Sequence, residues 1–372
     1  MRILFVSPAS VVHTIRWANS LCQRSHDVHV VCLRNHSEGA NRLEGSVKVH
    51  YLPIGSPVGY LLNAPALRRL ASKIKADIVN VHFASGYGTL ARLAGLHPCV
   101  LSVWGSDVYD FPQRGLTRRM LLSANLNYAD LVTSTSECMR RQALKYMDPA
   151  KRILVVPFGV DTMLFSKFPD ESSRDTLVIG IIKTLKPKYG IDYLIRAFSQ
   201  VRERAKSELG RQVRLVVYGG GPERKNLEEL AESLGVSDAV EFPGTVKNTD
   251  VPNVLKGLDV FVVPSIRESF GVAAVEAMAC EVPVVVSDAE GLQEVVVDGE
   301  TGIVVPRHDS MALSNAIMRL LADSELRVEM GRRGRTRVKQ MYEWDDNVNL
   351  MVEIYLATSK MAEQKNCAKL HP

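Results

Sequence analysis

The chain has 372 residues, a length for two or three domains, with 46% hydrophobic, 23% charged and 6% aromatic side chains. With scattered Gly and Pro and a mean hydropathy of −0.01, it is not a disordered, collagen-like or low-complexity chain, and no apolar run approaches the ~18 residues of a membrane span. The net charge of +5 is uneven: the first 165 residues carry 19 Lys+Arg against 10 Asp+Glu, and the remainder is acidic. A basic half can face anionic lipid or a pyrophosphate; nucleic acid is not expected as a partner, since no dense Lys/Arg cluster is interleaved with aromatics.

The N-terminal Met1–Pro8 stretch has too short an apolar core for a signal peptide and reads as a first buried strand. Further apolar strand candidates are Asp27–Cys32, Val47–Leu52, Ile78–His82, Cys99–Val103, Leu131–Ser134 and Ile153–Val156. Helical patterns such as His13–Arg24 and Pro65–Lys75 lie between them. Short apolar runs separated by helices predict a parallel sheet covered on both faces. Residues 1–165 are therefore expected to form one doubly wound domain. The polar, aperiodic segment Phe168–Asp175 reads as a linker.

The alternation then restarts with Leu177–Ile182, Val213–Tyr218, Val240–Phe242, Val260–Val263, Val282–Val286 and Ile303–Val305. Helical patterns follow over Ser310–Leu321, about Glu325 to Lys339, and Trp344 to about Ser359, ahead of a polar tail. The fold class predicted is α/β, two Rossmann-like doubly wound domains facing each other across a cleft. Domain boundaries are expected at 1–165 and 166–343, with a helix over 344–360 returning to the first domain. Ligands of such sheets bind beyond the carboxyl ends of the strands. Cys22, Cys32, Cys99, Cys138, Cys280 and Cys367 are widely spaced with no CxxC pair, so reduced thiols in a cytoplasmic protein are expected rather than a zinc site or disulfides.

The segment Pro264–Ala279 carries the chemistry. It leaves a strand, passes through a short loop and enters a helix near Gly271. A helix start offers unpaired N–H groups and the positive end of a dipole to a phosphate. Gly271 has no side chain and lets an anion approach the backbone, and the small Ala273 and Ala274 keep that approach open. Glu268 precedes the helix and Glu276 lies about a turn and a half inside it. Carboxylates accept hydrogen bonds from vicinal hydroxyls. Sugar at both ends with diphosphate between is the layout of a nucleotide sugar.

Glu268 and Glu276 around Phe270-Gly271-Val272 resemble the signature of the retaining GT-B glycosyltransferases of the family 4 type (glycosyl transferases group 1). Tyr218–Glu223 resembles the family's strand–GxGP turn, Val240–Gly244 its VxFxG segment, and Gly291–Glu294 with Asp298–Gly302 its GxxE…DGxTG run. The resemblance implies that Glu268 contacts the donor sugar and Glu276 the ribose, that the amides of Gly271, Val272 and Ala273 hold the diphosphate, and that Gly220 and Phe242 are also on the donor side. The family's R-L-x-x-x-K-G cations are displaced: Thr184 and Tyr189 occupy their places, and Lys183, Lys186 and Lys188 lie nearby. Lys183 and Lys188 are the candidates for neutralising the departing diphosphate. No D-x-D pair occurs, so no metal or other cofactor is expected and the nucleotide sugar enters as co-substrate.

On the acceptor side, His13 and Arg16 open the first helix in an H-T-x-R-W form found in a subgroup of the family. Leu101–Asp107 resembles the T-x-H-G-x-D element, with Asp107 matched and Trp104 replacing the histidine. An indole stacks on a sugar but exchanges no proton. His82, at a strand end, is a candidate substitute, or a ring that is only hydrogen-bonded. The basic helix Leu67–Lys75 and the Arg114, Arg118, Arg119 cluster read either as solvated faces or as contacts for an anionic membrane surface.

The function implied is retaining transfer of a sugar from a nucleotide donor, UDP-sugar ahead of GDP-sugar, to a glycan or lipid-linked acceptor. Cell-surface polysaccharide biosynthesis, cytoplasmic or peripheral at the inner membrane face, is the setting implied. The competing readings are a nucleotide-sugar epimerase of the same fold and a non-catalytic relative.

Overall fold

The computed structural model describes residues 1–167 and 176–370. The chain divides into two compact units, Met1–Pro157 with Asp346–Pro372, and Phe158–Asp345. The segment expected to be a linker, Phe168–Asp175, lies outside the described residues, as do the last two residues of the tail.

The first unit contains β1 (Arg2–Val6), α1 (Val12–Gln23), β2 (Asp27–Leu33), β3 (Lys48–Leu52), α2 (Gly59–Leu62), α3 (Ala64–Ile74), β4 (Ile78–His82) and α4 (Gly86–Ala94). It continues with β5 (Cys99–Val103), α5 (Ser106–Tyr109), α6 (Leu116–Tyr128), β6 (Leu131–Ser134), α7 (Glu137–Leu144) and β7 (Ile153–Val155). Its seven strands form a parallel sheet in the order β3-β2-β1-β4-β5-β6-β7. β4 and β5 are buried along their whole length, as helices on both faces require. α3 turns Leu67 and Ile74 into the core and leaves Arg69 and Lys73 exposed. Its Arg68 Nε donates to the carbonyl of Ala94 at 2.8 Å.

The second unit contains β8 (Thr176–Ile182), α8 (Ile191–Leu209), β9 (Gln212–Tyr218), α9 (Arg224–Ser233), β10 (Val240–Gly244), α10 (Val251–Lys256) and β11 (Val260–Val263). α11 (Val272–Ala279), β12 (Val284–Ser287), α12 (Glu290–Val295), β13 (Ile303–Val305), α13 (Ser310–Ala322) and α14 (Ser324–Met341) complete it. Its parallel sheet runs β10-β9-β8-β11-β12-β13. Leu177, Ile179 and Ile181 of β8 enter one core cluster with Leu194, Phe198 and Val201 of α8, following the two-residue period of a strand. α15 (Trp344–Leu370) begins in this unit and runs on through the first one.

Several limits differ from those expected, most of them at strand ends and by one or two residues. The first unit ends at Pro157 rather than 165. Phe158 packs edge-on against Phe270 at 6.2 Å, Val160 N donates to Tyr342 O at 2.8 Å, and Arg335 holds Phe165 O at 2.8 Å. β12 starts at Val284 rather than Val282, after Pro283, which has no N–H for the ladder. The last helix reaches Leu370 rather than about 360.

In both sheets the strand order reverses beside the first strand, between β1 and β4 and between β8 and β11. Side chains just beyond the carboxyl ends of those strands are where such sheets bind ligands.

Candidate active site

In the second unit the reversal point brings together Lys183, one residue past β8, and Glu268, in the loop after β11. Their Nζ and Oε2 are 2.5 Å apart, with only 14% and 13% of the two side chains exposed. Ser265 Oγ donates to the same carboxylate oxygen at 3.4 Å. Burial pushes the Lys183 ammonium down, but Glu268, the Tyr189 phenol and the charge of Glu276 outweigh it, and its pKa is raised. The loop is held by Gly291 N, which donates to Glu268 O at 3.1 Å.

Gly271 caps α11 at φ 101°, and a Cβ there would lie 2.7 Å from Leu292 Cδ2, so conformation and packing both call for glycine. The first inward helical amide is that of Ala274, which donates to Gly271 O at 2.9 Å. Val272, Ala273 and Glu276 are half-buried, while Ala274, Val275, Ala277 and Met278 enter the core. Positions 272, 273 and 276 share one helix face. Val272, Ala273 and Glu276 are thus the positions of this stretch that the core leaves partly exposed.

The Tyr218–Gly221 turn packs on the 183–185 segment: Lys183 N donates to Tyr218 O at 2.9 Å and Leu185 N to Gly220 O at 3.0 Å. Gly219, at φ 137°, would drive a Cβ to 1.9 Å from Lys183 O. Gly220, the residue expected on the donor side, is the roomiest of the three, with Thr245 Oγ1 as its near neighbour. Phe242 is half-buried and packed against the core, and its carbonyl accepts from Arg224 Nη2 at 2.8 Å. The turn thus shapes the backbone around Lys183. Lys188 also lies close: its Nζ is 5.2 Å from the centroid of the Tyr189 ring, against which Lys183 Nζ lies at 4.6 Å. Lys186 is exposed.

In the first unit the reversal point holds a buried polar network that sequence reasoning missed, apart from His82. Ser7 Oγ and Thr14 Oγ1 lie 2.9 and 3.1 Å from His82 Nδ1, and His82 Nε2 is 2.8 Å from Asn80 Oδ1. Asn80 Nδ2 donates to Val100 O at 3.1 Å, which orients its carbonyl toward the imidazole and puts the ring proton on Nε2. Tyr355 OH of α15 donates to the same Asn80 oxygen at 3.0 Å. His82 is 1% exposed, and burial, aided by the nearby His13, pushes its pKa well below the usual value. Both ring nitrogens are engaged, so the hydrogen-bonded reading of His82 is the one its geometry favours over proton exchange with a substrate. The available signal was Ser7, a hydroxyl at the end of the first strand.

Trp104, half-buried one residue past β5, covers that network. Its ring lies 4.0 Å from His82, 5.1 Å from Phe83 and 5.8 Å from His13 between centroids. His13 is pushed down to about 3 by burial and by the charge of Arg16. Arg16 is half-buried on the same helix. Asp107, 2% exposed, accepts from the amides of Ala84 at 2.8 Å, Trp104 at 3.2 Å and Gly105 at 2.9 Å. Burial raises its pKa, and those amides pull the other way. It shapes the loop that carries Trp104 instead of facing outward.

Comparison with known proteins decides the family. Residues 165–337 match glycosyl transferases group 1, and residues 2–136 match glycosyl transferase 4-like. The chain is 31% identical over 326 residues to the GDP-mannose-dependent alpha-(1-6)-phosphatidylinositol monomannoside mannosyltransferase of Mycolicibacterium smegmatis, covering 81% of this chain and 83% of that protein. The chain belongs to the group 1 glycosyltransferases. It is also 34% identical to a D-inositol 3-phosphate glycosyltransferase of Acidothermus cellulolyticus over 70% of this chain, which spans 59% of that protein's length. Its fold is GT-B: sucrose-phosphate synthase from Thermosynechococcus elongatus matches with a TM-score of 0.83 over 96% of this chain and 98% of that one, at 22% identity.

As a group 1 glycosyltransferase, the protein uses a nucleotide-sugar donor. Among the described residues, no group of three or more His, Cys, Asp or Glu side chains could hold a metal ion. Among the described residues, no helix is long and apolar enough to cross a membrane.

Proposed function

We propose that the enzyme transfers a hexosyl group, with retention and without a metal ion, from a nucleoside diphosphate sugar to a saccharide or lipid-linked acceptor. The observation that carries this reading is the Lys183–Glu268 pair beside the opening of α11. Without donor, each charge satisfies the other. With donor, Glu268 turns to sugar hydroxyls and Lys183 to a phosphate oxygen, while Gly271, Val272 and Ala273 amides take the diphosphate and Glu276 the ribose. The bond from C1 of the sugar to the phosphate oxygen breaks, and its electron pair stays on the phosphate. Lys183 and Lys188 neutralise that charge as it develops. The acceptor hydroxyl attacks C1 on the same face and gives its proton to the leaving phosphate oxygen. No protein base is needed, in keeping with the engaged ring of His82. His13, Arg16 and Trp104 serve the acceptor, with the indole as a stacking face.

The relative from Mycolicibacterium smegmatis acts on a phosphatidylinositol mannoside, which favours a lipid-linked acceptor and sets guanosine against the uridine expected from family frequency. Exposed Leu116 and Met120, one turn apart on α6 and flanked by exposed Arg114, Arg118 and Arg119, support peripheral contact with an anionic membrane. A role in cell-surface polysaccharide biosynthesis at the cytoplasmic face suits such an acceptor. The test is a panel of UDP- and GDP-sugars, assayed with lipid-linked and free saccharides and followed by the anomeric configuration of the product. Transfer with retention is expected; inversion, or no transfer with any donor, overturns the proposal.

A further inference from the structure

The family's motif places a lysine where this chain has Tyr189, yet the position is not idle. Tyr189 lies in the short turn after Lys186, half-buried and packed against the core of the second unit. Its ring is the common neighbour of two ammonium groups, Lys183 Nζ at 4.6 Å and Lys188 Nζ at 5.2 Å from the centroid. Both distances are inside the ≈6 Å reach of a cation–π contact. The turn is also tied to the loop of Glu268, since Lys188 O accepts from Ile266 N at 2.9 Å and from Arg267 N at 3.2 Å. One aromatic ring is thereby held between the β8 end and the Glu268 loop, within cation–π reach of both lysine ammonium groups.

We propose that Tyr189 is a positioning residue for the transfer: its π face sets Lys183 and Lys188 for the donor diphosphate. The proposal rests on the reading of those lysines as the diphosphate cations. Two like charges near one another repel, and long lysine stems lose rotamer entropy when ordered. The π electrons of one ring, within reach of both ammonium groups, offset both costs before the donor arrives. The contact needs the ring and not the phenol hydroxyl, which gives it a distinguishing signature.

The test uses the full-length chain with Tyr189→Phe, Tyr189→Leu, Tyr189→Met, Lys183→Gln and Lys188→Gln variants. UDP, GDP, UMP and GMP are titrated into each by calorimetry, and kcat and donor KM are measured with the best donor of the panel. Tyr189→Phe is expected to keep kcat and diphosphate affinity within about threefold, because the π face remains. Tyr189→Leu and Tyr189→Met are expected to lose about tenfold in nucleoside diphosphate affinity and in kcat, with little change for the monophosphates. Circular dichroism melts identify any variant that fails to fold, and two apolar replacements guard against losing one. If the lysine variants lose diphosphate affinity while Tyr189→Leu and Tyr189→Met do not, Tyr189 has no positioning role. If the lysine variants bind UDP and GDP as the parent does, or the parent binds neither, the underlying reading falls and takes this proposal with it.

Discussion

Breaking the Lys183–Glu268 pair one member at a time tests the centre of the site. Lys183→Met leaves the Glu268 carboxylate with the weak 3.4 Å contact from Ser265 Oγ in place of an ammonium at 2.5 Å. Removing one partner of a fully buried pair costs roughly 3–5 kcal/mol. Here 13–14% of each side chain is exposed, so water reaches the orphaned charge and the loss is expected at about 2 kcal/mol. Glu268→Gln keeps the shape and an acceptor oxygen and should cost less, about 1 kcal/mol. The double variant removes both charges and has no orphan to desolvate. It should be no less stable than Lys183→Met alone, which gives a coupling of about 1 kcal/mol or more. Urea denaturation of the four proteins, with the second unit followed by hydrogen exchange of its β8 and β11 amides, measures this. Strict additivity, within about 0.5 kcal/mol, would show that the charges do not interact and that the donor-exchange scheme is misconceived. The pH dependence has a definite sign. The folded-state pKa of Lys183 is raised, so its contribution is complete below the ordinary lysine value and disappears as pH rises through the folded one. The Lys183→Met variant should therefore lose stability less steeply than the parent above about pH 10.4.

Three further outcomes are expected. Glu276→Ala should weaken donor binding by about ten- to a hundredfold, the worth of a hydrogen bond to a charged acceptor, and unchanged affinity in a calorimetric titration would remove the carboxylate from ribose recognition. His82 and His13 have folded pKa values lowered from 6.5, so the unfolded chain binds the extra protons and stability falls as pH drops below about 6.5. At pH 5.5 this amounts to about 1.4 kcal/mol per ring; a His13→Gln, His82→Gln double variant should show a shallower acid limb in urea midpoints, and an unchanged limb refutes the assignment. Finally, on the proposed mechanism, in which lysines and amides meet the leaving group, exhaustive treatment with a chelator should leave turnover within about twofold; loss of turnover restored by a divalent cation would contradict this.

Much of the architecture was legible because it is encoded locally. Buried parallel strands are short β-branched runs, and Ile78–His82, Cys99–Val103, Leu131–Ser134, Val260–Val263 and Ile303–Val305 begin and end where those runs do. The entrance to α11 was visible for the same reason, since Gly271 at positive φ followed by Val272–Ala279 is a local backbone statement. The spacing of Glu268 and Glu276 likewise fixed that one precedes the helix and the other lies on it. Partners brought together by crossovers carry no such mark. Lys183 and Glu268 are 85 residues apart and meet only because β8 and β11 are neighbours in the sheet. Tyr355 reaches Asn80 across 275 residues, and that contact helps orient the group that occupies His82 Nε2. Asp107 matched a motif by type, but three amides turned inward around it show it to be a buried loop anchor. Sequence thus determined the elements, their periodicity and the acidic pair around a helix start, because these depend on neighbours a few bonds away. Which charges pair, which ring nitrogens are occupied and which aromatic ring lies beside the lysines were decided by strand order and packing, which only the folded chain specifies.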